Sequence, residues 1–126
     1  MKNILFLLLF TLNSFIVTAQ ETVLEATSVI LDVTNYKEVV VGKDVQLVDV
    51  RTPKEYQEGR IDDAINIDYF DQENFNQAFK KLDKNEPLYI YCRSGNRSQK
   101  SVKLLVDLGF TEIYDLKGGY NAWSMQ

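Results

Sequence analysis

The sequence contains no histidine. That absence removes serine and cysteine nucleophiles activated by an imidazole, and with them most zinc sites. There is one cysteine, Cys92, so no disulfide closes within the chain. A lone thiol is a small buried hydrophobe, a bond to another molecule, or a reactive group. Proline is scarce as well, limited to Pro53 and Pro87, each at the edge of an expected element. There is no basic excess: 14 Lys and Arg face 18 Asp and Glu, for a net charge of −4. A mildly acidic chain without a basic stripe is a poor partner for nucleic acid. Internal repeats and low-complexity stretches are missing too.

One apolar run stands out, from Ile4 to Phe10, preceded by Lys2 and followed by Val17-Thr18-Ala19. A charged start, a short apolar middle and small residues at the end are the marks of a secretory signal peptide, here residues 1–19 with cleavage before Gln20. The run is short for a membrane span, which makes an uncleaved anchor the lesser alternative. No cysteine lies near the cleavage point, which disfavours a lipid anchor. The expectation is an exported protein, periplasmic or secreted, with no stable membrane association after cleavage. Removing 19 of the 126 residues leaves 107, and losing Lys2 moves the net charge from −4 to −5. Residues 20–126 suffice for one compact domain and not for two.

Within that domain, Val45 to Val50 and Leu88 to Tyr91 are apolar runs of strand length. Neither alternates as a half-exposed strand does, so both are expected to be buried on two faces of a parallel sheet. Val29 to Leu31, Ala64 to Ile67 and Glu112 to Asp115 are shorter candidates. Thr52-Pro53-Lys54-Glu55 is a capping box with proline at the first helical position, and Gly59 closes that short helix. Phe75, Ala78, Phe79 and Leu82 make an apolar stripe on a second helix, about Gln72 to Leu82. A third runs from Ser98 to Leu108, burying Val102, Leu105 and Val106, with Gly109 as its stop. Strands and helices in alternation predict a three-layer α/β domain around a central parallel sheet of about five strands. Ligands in such sheets bind at the carboxyl ends of the strands, where Cys92 lies.

Cys92-Arg93-Ser94-Gly95-Asn96-Arg97-Ser98 leaves a buried strand and enters a helix. The helix start offers unpaired N–H groups and the positive end of its dipole. Gly95 and Asn96 tolerate left-handed backbone, so the loop can curl its N–H groups toward one point. Such surroundings, with Arg93 and Arg97 beside them, favour a thiolate without a histidine base. Ser94 and Ser98 are expected to donate hydrogen bonds within this cradle, and Ser98 also fits a helix N-cap. Arginine's planar fork suits a multi-oxygen anion, and Arg93 is the better candidate for the mouth, with Arg97 as an alternative brace of the loop. Asp49 and Arg51 end the neighbouring strand: Arg51 could attract anions, while Asp49 fits better as part of a structural ion pair with the Arg51–Glu55 turn.

From about residue 28 to Trp123 the chain resembles a single-domain rhodanese. Leu47-Val48-Asp49-Val50-Arg51-Thr52-Pro53-Lys54-Glu55-Tyr56 is similar to that family's first signature. Gly59-Arg60-Ile61 through Ala64-Ile65-Asn66-Ile67 is similar to the second. Cys92 to Ser98 resembles the active-site loop, and Leu116-Lys117-Gly118-Gly119-Tyr120-Asn121-Ala122-Trp123 resembles the ending. Arg60 stands where the family commonly has histidine, and Asp62-Asp63 where it has Pro-Gly. The resemblance implies that Cys92 accepts sulfane sulfur from a donor such as thiosulfate, carries it as a persulfide, and passes it to cyanide or a thiol. No cofactor and no metal are implied, and a monomer is expected. Two rival functions remain: a sulfur carrier that turns over poorly alone, and a cysteine-dependent phosphatase or arsenate reductase. The second needs five residues between Cys and Arg to wrap a tetrahedral oxyanion. Here four separate Cys92 from Arg97, a ring fitted to a single sulfur atom.

Overall fold

The structure, a computed structural model, describes residues 16, 18, 19 and 25–126. The expected signal segment 1–19 lies, but for three isolated residues, outside the described residues. Five strands, β1 (Thr27–Leu31), β2 (Gln46–Asp49), β3 (Ile65–Asn66), β4 (Leu88–Tyr91) and β5 (Glu112–Leu116), form one sheet. Their order is β1-β5-β4-β2-β3, and every neighbouring pair is parallel. Five helices alternate with them: α1 (Val33–Val40), α2 (Pro53–Glu58), α3 (Gln72–Phe79), α4 (Asn96–Asp107) and α5 (Gly119–Ser124). The chain is the α/β domain that the alternation of elements predicts.

β4 occupies the centre, and all four of its residues are buried. Successive side chains of a strand point to opposite faces. Leu88 and Ile90 accordingly join Phe75, Phe79, Leu105, Phe110 and Ile113 in the core beneath α3 and α4. Tyr89 and Tyr91 join Tyr36, Val40, Leu47 and Leu116 in the opposite core, which α1 and the Trp123 ring of α5 close. Phe75 and Phe79 are fully buried with ring centroids 4.6 Å apart. Burying each stabilises the fold by about 1.5–3 kcal/mol.

Two helices escape the sequence patterns. α1 has only Tyr36 and Val40 as buried positions, with Asp32 capping it by accepting from Asn35 N at 2.8 Å. Six-residue α5 starts after Gly118, in a stretch that carries no apolar stripe of helical period. α3 stops at Phe79, three residues early, and Leu82 N donates to Phe79 O in the turn that follows. α4 begins two residues earlier than expected, at Asn96, because Gly95 at φ +109° supplies the left-handed entry. Ser98 is therefore inside the first turn and is not the N-cap. Of the three apolar residues assigned to its inner face, Leu105 is buried and Val102 half-buried, but Val106 is 38 % exposed. Gly109 does end the helix, at φ +102°, with Phe110 N donating back to Leu105 O.

Candidate active site

Cys92 follows β4 directly and keeps the parity of Leu88 and Ile90, which aims its side chain at α4. It is 1 % exposed, in contrast to the partly exposed position expected of a reactive thiol. The strand's alternation is the reason, since the sulfur continues the inner face and the loop folds over it. Gly95 N donates to Cys92 Sγ at 3.1 Å, and Ser98 Oγ lies 3.3 Å from the same sulfur. The backbone approach expected of the loop is thus one N–H and one hydroxyl. Ser94 and Asn96 are exposed, with side chains outside the loop's hydrogen bonds.

Arg97 turns away from the sulfur and closes the loop onto α2. Its guanidinium forks onto Glu55, with Nη1 to Oε1 at 2.7 Å and Nη2 to Oε2 at 3.0 Å. Glu55 Oε1 also accepts from Thr52 N, and Thr52 Oγ1 accepts from Glu55 N, so the capping box and the loop brace share one carboxylate. The Arg97 bonds hold the Glu55 carboxyl down at about 2, well below its ordinary value of 4.5. A charge-assisted bidentate pair of this kind fixes direction as well as distance. This is the bracing alternative for Arg97. Glu55 was legible in the sequence as half of a capping box, but nothing there connected it to Arg97, 42 residues on.

Arg51 and Asp49 are both buried and bound to each other, with Nη2 2.6 Å from Oδ2 and Nε 3.0 Å from both carboxylate oxygens. Arg51 Nη2 donates further to Gly59 O, and the guanidinium lies 4.2 Å from the Tyr120 ring centroid. Burial works against the charge of Arg51, and the bonds from Asp49 outweigh it, holding its pKa above the ordinary value. Its donors are thus largely committed to the strand-to-helix turn. The expected ion pair exists, with Glu55 belonging to a different one. Arg93 is exposed, in no ion pair among the described residues, and borders an open depression of about 230 Å³ with Arg51, Glu55, Glu58, Tyr120 and Asn121.

α5 pins the loop from the other side. Tyr120 N and Asn121 N donate to Cys92 O and Arg93 O at 2.8 and 3.0 Å. Backbone approaches so closely that a Cβ on Gly119 would meet Cys92 O at 2.5 Å and Arg93 C at 2.6 Å. The Gly118-Gly119 pair is thus part of the site's support. Behind the sulfur, Ser98 Oγ lies 3.0 Å from Asp115 Oδ2, which also accepts from Gln99 Nε2. Asp115 is 1 % exposed, and sequence reasoning passed over it. Its signal was available: a carboxylate sharing the inward parity of Ile113 at the carboxyl end of a strand. Of the residues that depart from the family's pattern, Arg60 stacks on Tyr56 at 4.3 Å and Asp62 takes a left-handed φ of +47° while accepting from Gly42 N.

A parallel α/β sheet with a cysteine loop at the head of its central strand, braced by an Arg–Glu fork, defines a class of thiol-bearing domains. The chain belongs to the family of the rhodanese-like domain, whose model matches residues 32–126. It is 33% identical over 93 residues to the thiosulfate sulfurtransferase GlpE of Shewanella oneidensis, covering 74% of this chain and 89% of that protein. It is 37% identical over 81 residues to the uncharacterized protein YqhL of Bacillus subtilis, covering 64% of this chain and 62% of that one. Among solved structures, a rhodanese-like domain protein from Staphylococcus aureus superposes with a TM-score of 0.65 at 33% identity, over 75% of this chain and 89% of the other. The human single-domain sulfurtransferase TSTD1 shares the fold, with a TM-score of 0.66 at 22% identity over 77% and 96%.

Proposed function

We propose that this chain is a thiosulfate sulfurtransferase that carries sulfur as a persulfide on Cys92. The carrying observation is the placement of the only thiol: under a loop braced by Glu55–Arg97, with Gly95 N–H and Ser98 Oγ on the sulfur. In the first half-reaction the Cys92 thiolate attacks the outer sulfur of thiosulfate. A new S–S bond forms, the bond within thiosulfate breaks, and sulfite leaves with the electron pair. The Gly95 and Ser98 donors, which face the sulfur anion, stabilise charge as an oxyanion hole does. Arg93 at the mouth supplies the uncommitted guanidinium for the donor's oxygens. In the second half-reaction cyanide, or an acceptor thiolate, attacks the outer sulfur, and the electron pair of the broken S–S bond returns to Cys92. This is ping-pong covalent catalysis without a cofactor. Residues 1–19 support export, so the reading includes a periplasmic or secreted monomer without nucleic-acid partners.

The depth of Cys92, 1 % exposed, favours a second reading in which the domain loads sulfur readily but hands it on only to a dedicated partner. Incubating the chain from Gln20 onward with thiosulfate and cyanide decides between them. Thiocyanate produced by the native chain, and lost by about 100-fold or more in Cys92→Ser, supports the enzyme, because that variant has no covalent nucleophile. No turnover, with mass spectrometry still showing an added sulfur on Cys92, supports the carrier. Hydrolysis of aryl phosphates without any response to thiosulfate would sink both.

A further inference from the structure

Asp115 stands behind the thiol, and the sulfur transfer described above gives it no task. Oδ2 lies 3.0 Å from Ser98 Oγ, and Ser98 Oγ lies 3.3 Å from Cys92 Sγ, so a continuous hydrogen-bond chain joins carboxyl and sulfur. Gln99 Nε2 donates to the same Oδ2, while Oδ1 is buried without a hydrogen-bond partner. An ionised carboxylate taken out of water needs donors on both oxygens or a cation beside it. Asp115 has neither. Among the described residues the ion pairs are Asp49–Arg51 and Glu55–Arg97, which leave it unattended. The titratable groups facing it are Cys92, through Ser98, and Tyr36 of α1, through the sheet. α4 presents neutral Ser98 and Gln99, and its strand partners Ile30 of β1 and Ile90 of β4 are uncharged. Burial accordingly raises the Asp115 carboxyl above its ordinary range, against the opposing pull of Gln99, Ser98 and the backbone N–H of Leu116.

A serine hydroxyl has a single proton to give. Three acceptors surround Ser98 Oγ: the sulfur, Asp115 Oδ2 and Gly95 O at 3.2 Å. Opposite an ionised Asp115 that proton goes to the carboxylate, and the sulfur anion loses it. Opposite a protonated Asp115 the order reverses. Oδ2–H then donates to Ser98 Oγ, and the serine proton is free for the sulfur, which as an anion outcompetes the neutral Gly95 carbonyl. We infer that Asp115 is a neutral acid that donates to Ser98 Oγ and so directs the Ser98 hydroxyl proton onto the Cys92 sulfur anion. It is a positioning residue, acting on the sulfur through Ser98 alone. The inference rests on the reading of Cys92 as a working thiolate, and not on the identity of the sulfur donor.

The test follows the Cys92 thiolate in the full chain by ultraviolet absorbance and by iodoacetamide alkylation, from acid to alkaline pH. Native protein is expected to alkylate in two steps: the thiol ionises, and at higher pH Asp115 loses its proton, Ser98 turns away and the freed thiolate reacts faster. Asp115→Asn keeps an N–H that donates to Ser98 and holds no proton to lose, so the second step disappears and the first remains. Ser98→Ala leaves roughly tenfold less thiolate at a pH below the first step, the equivalent of about one unit. Asp115→Ala, which removes the competing carboxylate, keeps the serine proton on the sulfur and loses only the second step. A second step that survives in Asp115→Asn overturns the inference. So does an Asp115→Asn chain as poor in thiolate as Ser98→Ala, because that result means a neutral donor at this position does not direct the serine proton onto the sulfur. Should the Asp115 variants fail to fold, Ser98→Ala decides alone: the relay is broken, so a second step persisting there overturns the proposal. Sulfur loading from thiosulfate is measured by mass on the same native sample. Alkylation as expected without loading would refute the sulfurtransferase reading and leave the role of Asp115 standing.

Discussion

The carboxylate of Glu55 accepts from Thr52 N, Thr52 Oγ1 and both terminal nitrogens of Arg97, so one residue caps α2 and ties down the cysteine loop. Its pKa of about 2 lies below the ordinary 4.5, which sets the sign of its pH dependence. A carboxyl with a depressed folded pKa stabilises above the unfolded value and loses that stabilisation as pH falls through the folded one. Glu55→Gln should therefore lower the melting temperature by a few degrees at neutral pH, about 1 kcal/mol for a partly exposed bidentate pair. Thermal melts should show the gap to native closing between pH 4.5 and about 2. The same variant frees Arg97, so the thiosulfate assay should register a loss larger than the loss of stability explains. At this scale the sequence displayed Cys92, the loop and the capping box, because each is a local pattern. It did not display the Glu55–Arg97 or Ser98–Asp115 contacts, which join residues 42 and 17 positions apart.

Elements fix how the loop is held. α5 is too short to show a helical period, and its value lies in two backbone N–H groups that donate to Cys92 O and Arg93 O. Gly119, at φ +58°, sits where a Cβ would strike loop backbone, which cannot yield as a side chain does. Gly119→Ala should cost about 2 kcal/mol or more, combining left-handed strain with that collision. Gly42 is the control. It has a similar φ of +68°, but a Cβ there would have open space around it, with nothing within 4 Å. Gly42→Ala should therefore cost only about 1 kcal/mol, from strain alone. Urea melts compare the two, and sulfur transfer should fall in Gly119→Ala only. The patterned helices α2 and α4 and the buried strands β2 and β4 were foreseen from sequence within a residue or two. α1 was not, since two inward residues, Tyr36 and Val40, make no recognisable stripe.

For the molecule as a whole, every element of the sheet and both cores lie between Thr27 and Ser124. A chain starting at Gln20 should therefore melt within about a degree or two of the longer one, and circular dichroism on both forms checks this. If residues 1–19 address the chain for export, protein recovered from an exporting host should carry the mass of the form starting at Gln20. A substantially lower melting temperature for the shorter chain would make those residues part of the fold and oppose the signal-peptide reading.

The sequence by itself determined that no histidine activates a nucleophile in this chain, and that the domain is a parallel α/β sheet with its one cysteine, Cys92, at a strand's carboxyl end. Those conclusions follow from composition and from short-range periodicity, which a chain carries without folding. Only the tertiary structure decided what surrounds the thiol. Strand parity buried the sulfur, Glu55 took Arg97 away from it, Asp49 occupied Arg51, and β5 delivered Asp115 behind Ser98. Each of these is a contact between distant segments, set by how helices pack on a twisted sheet, and a linear pattern holds no record of it.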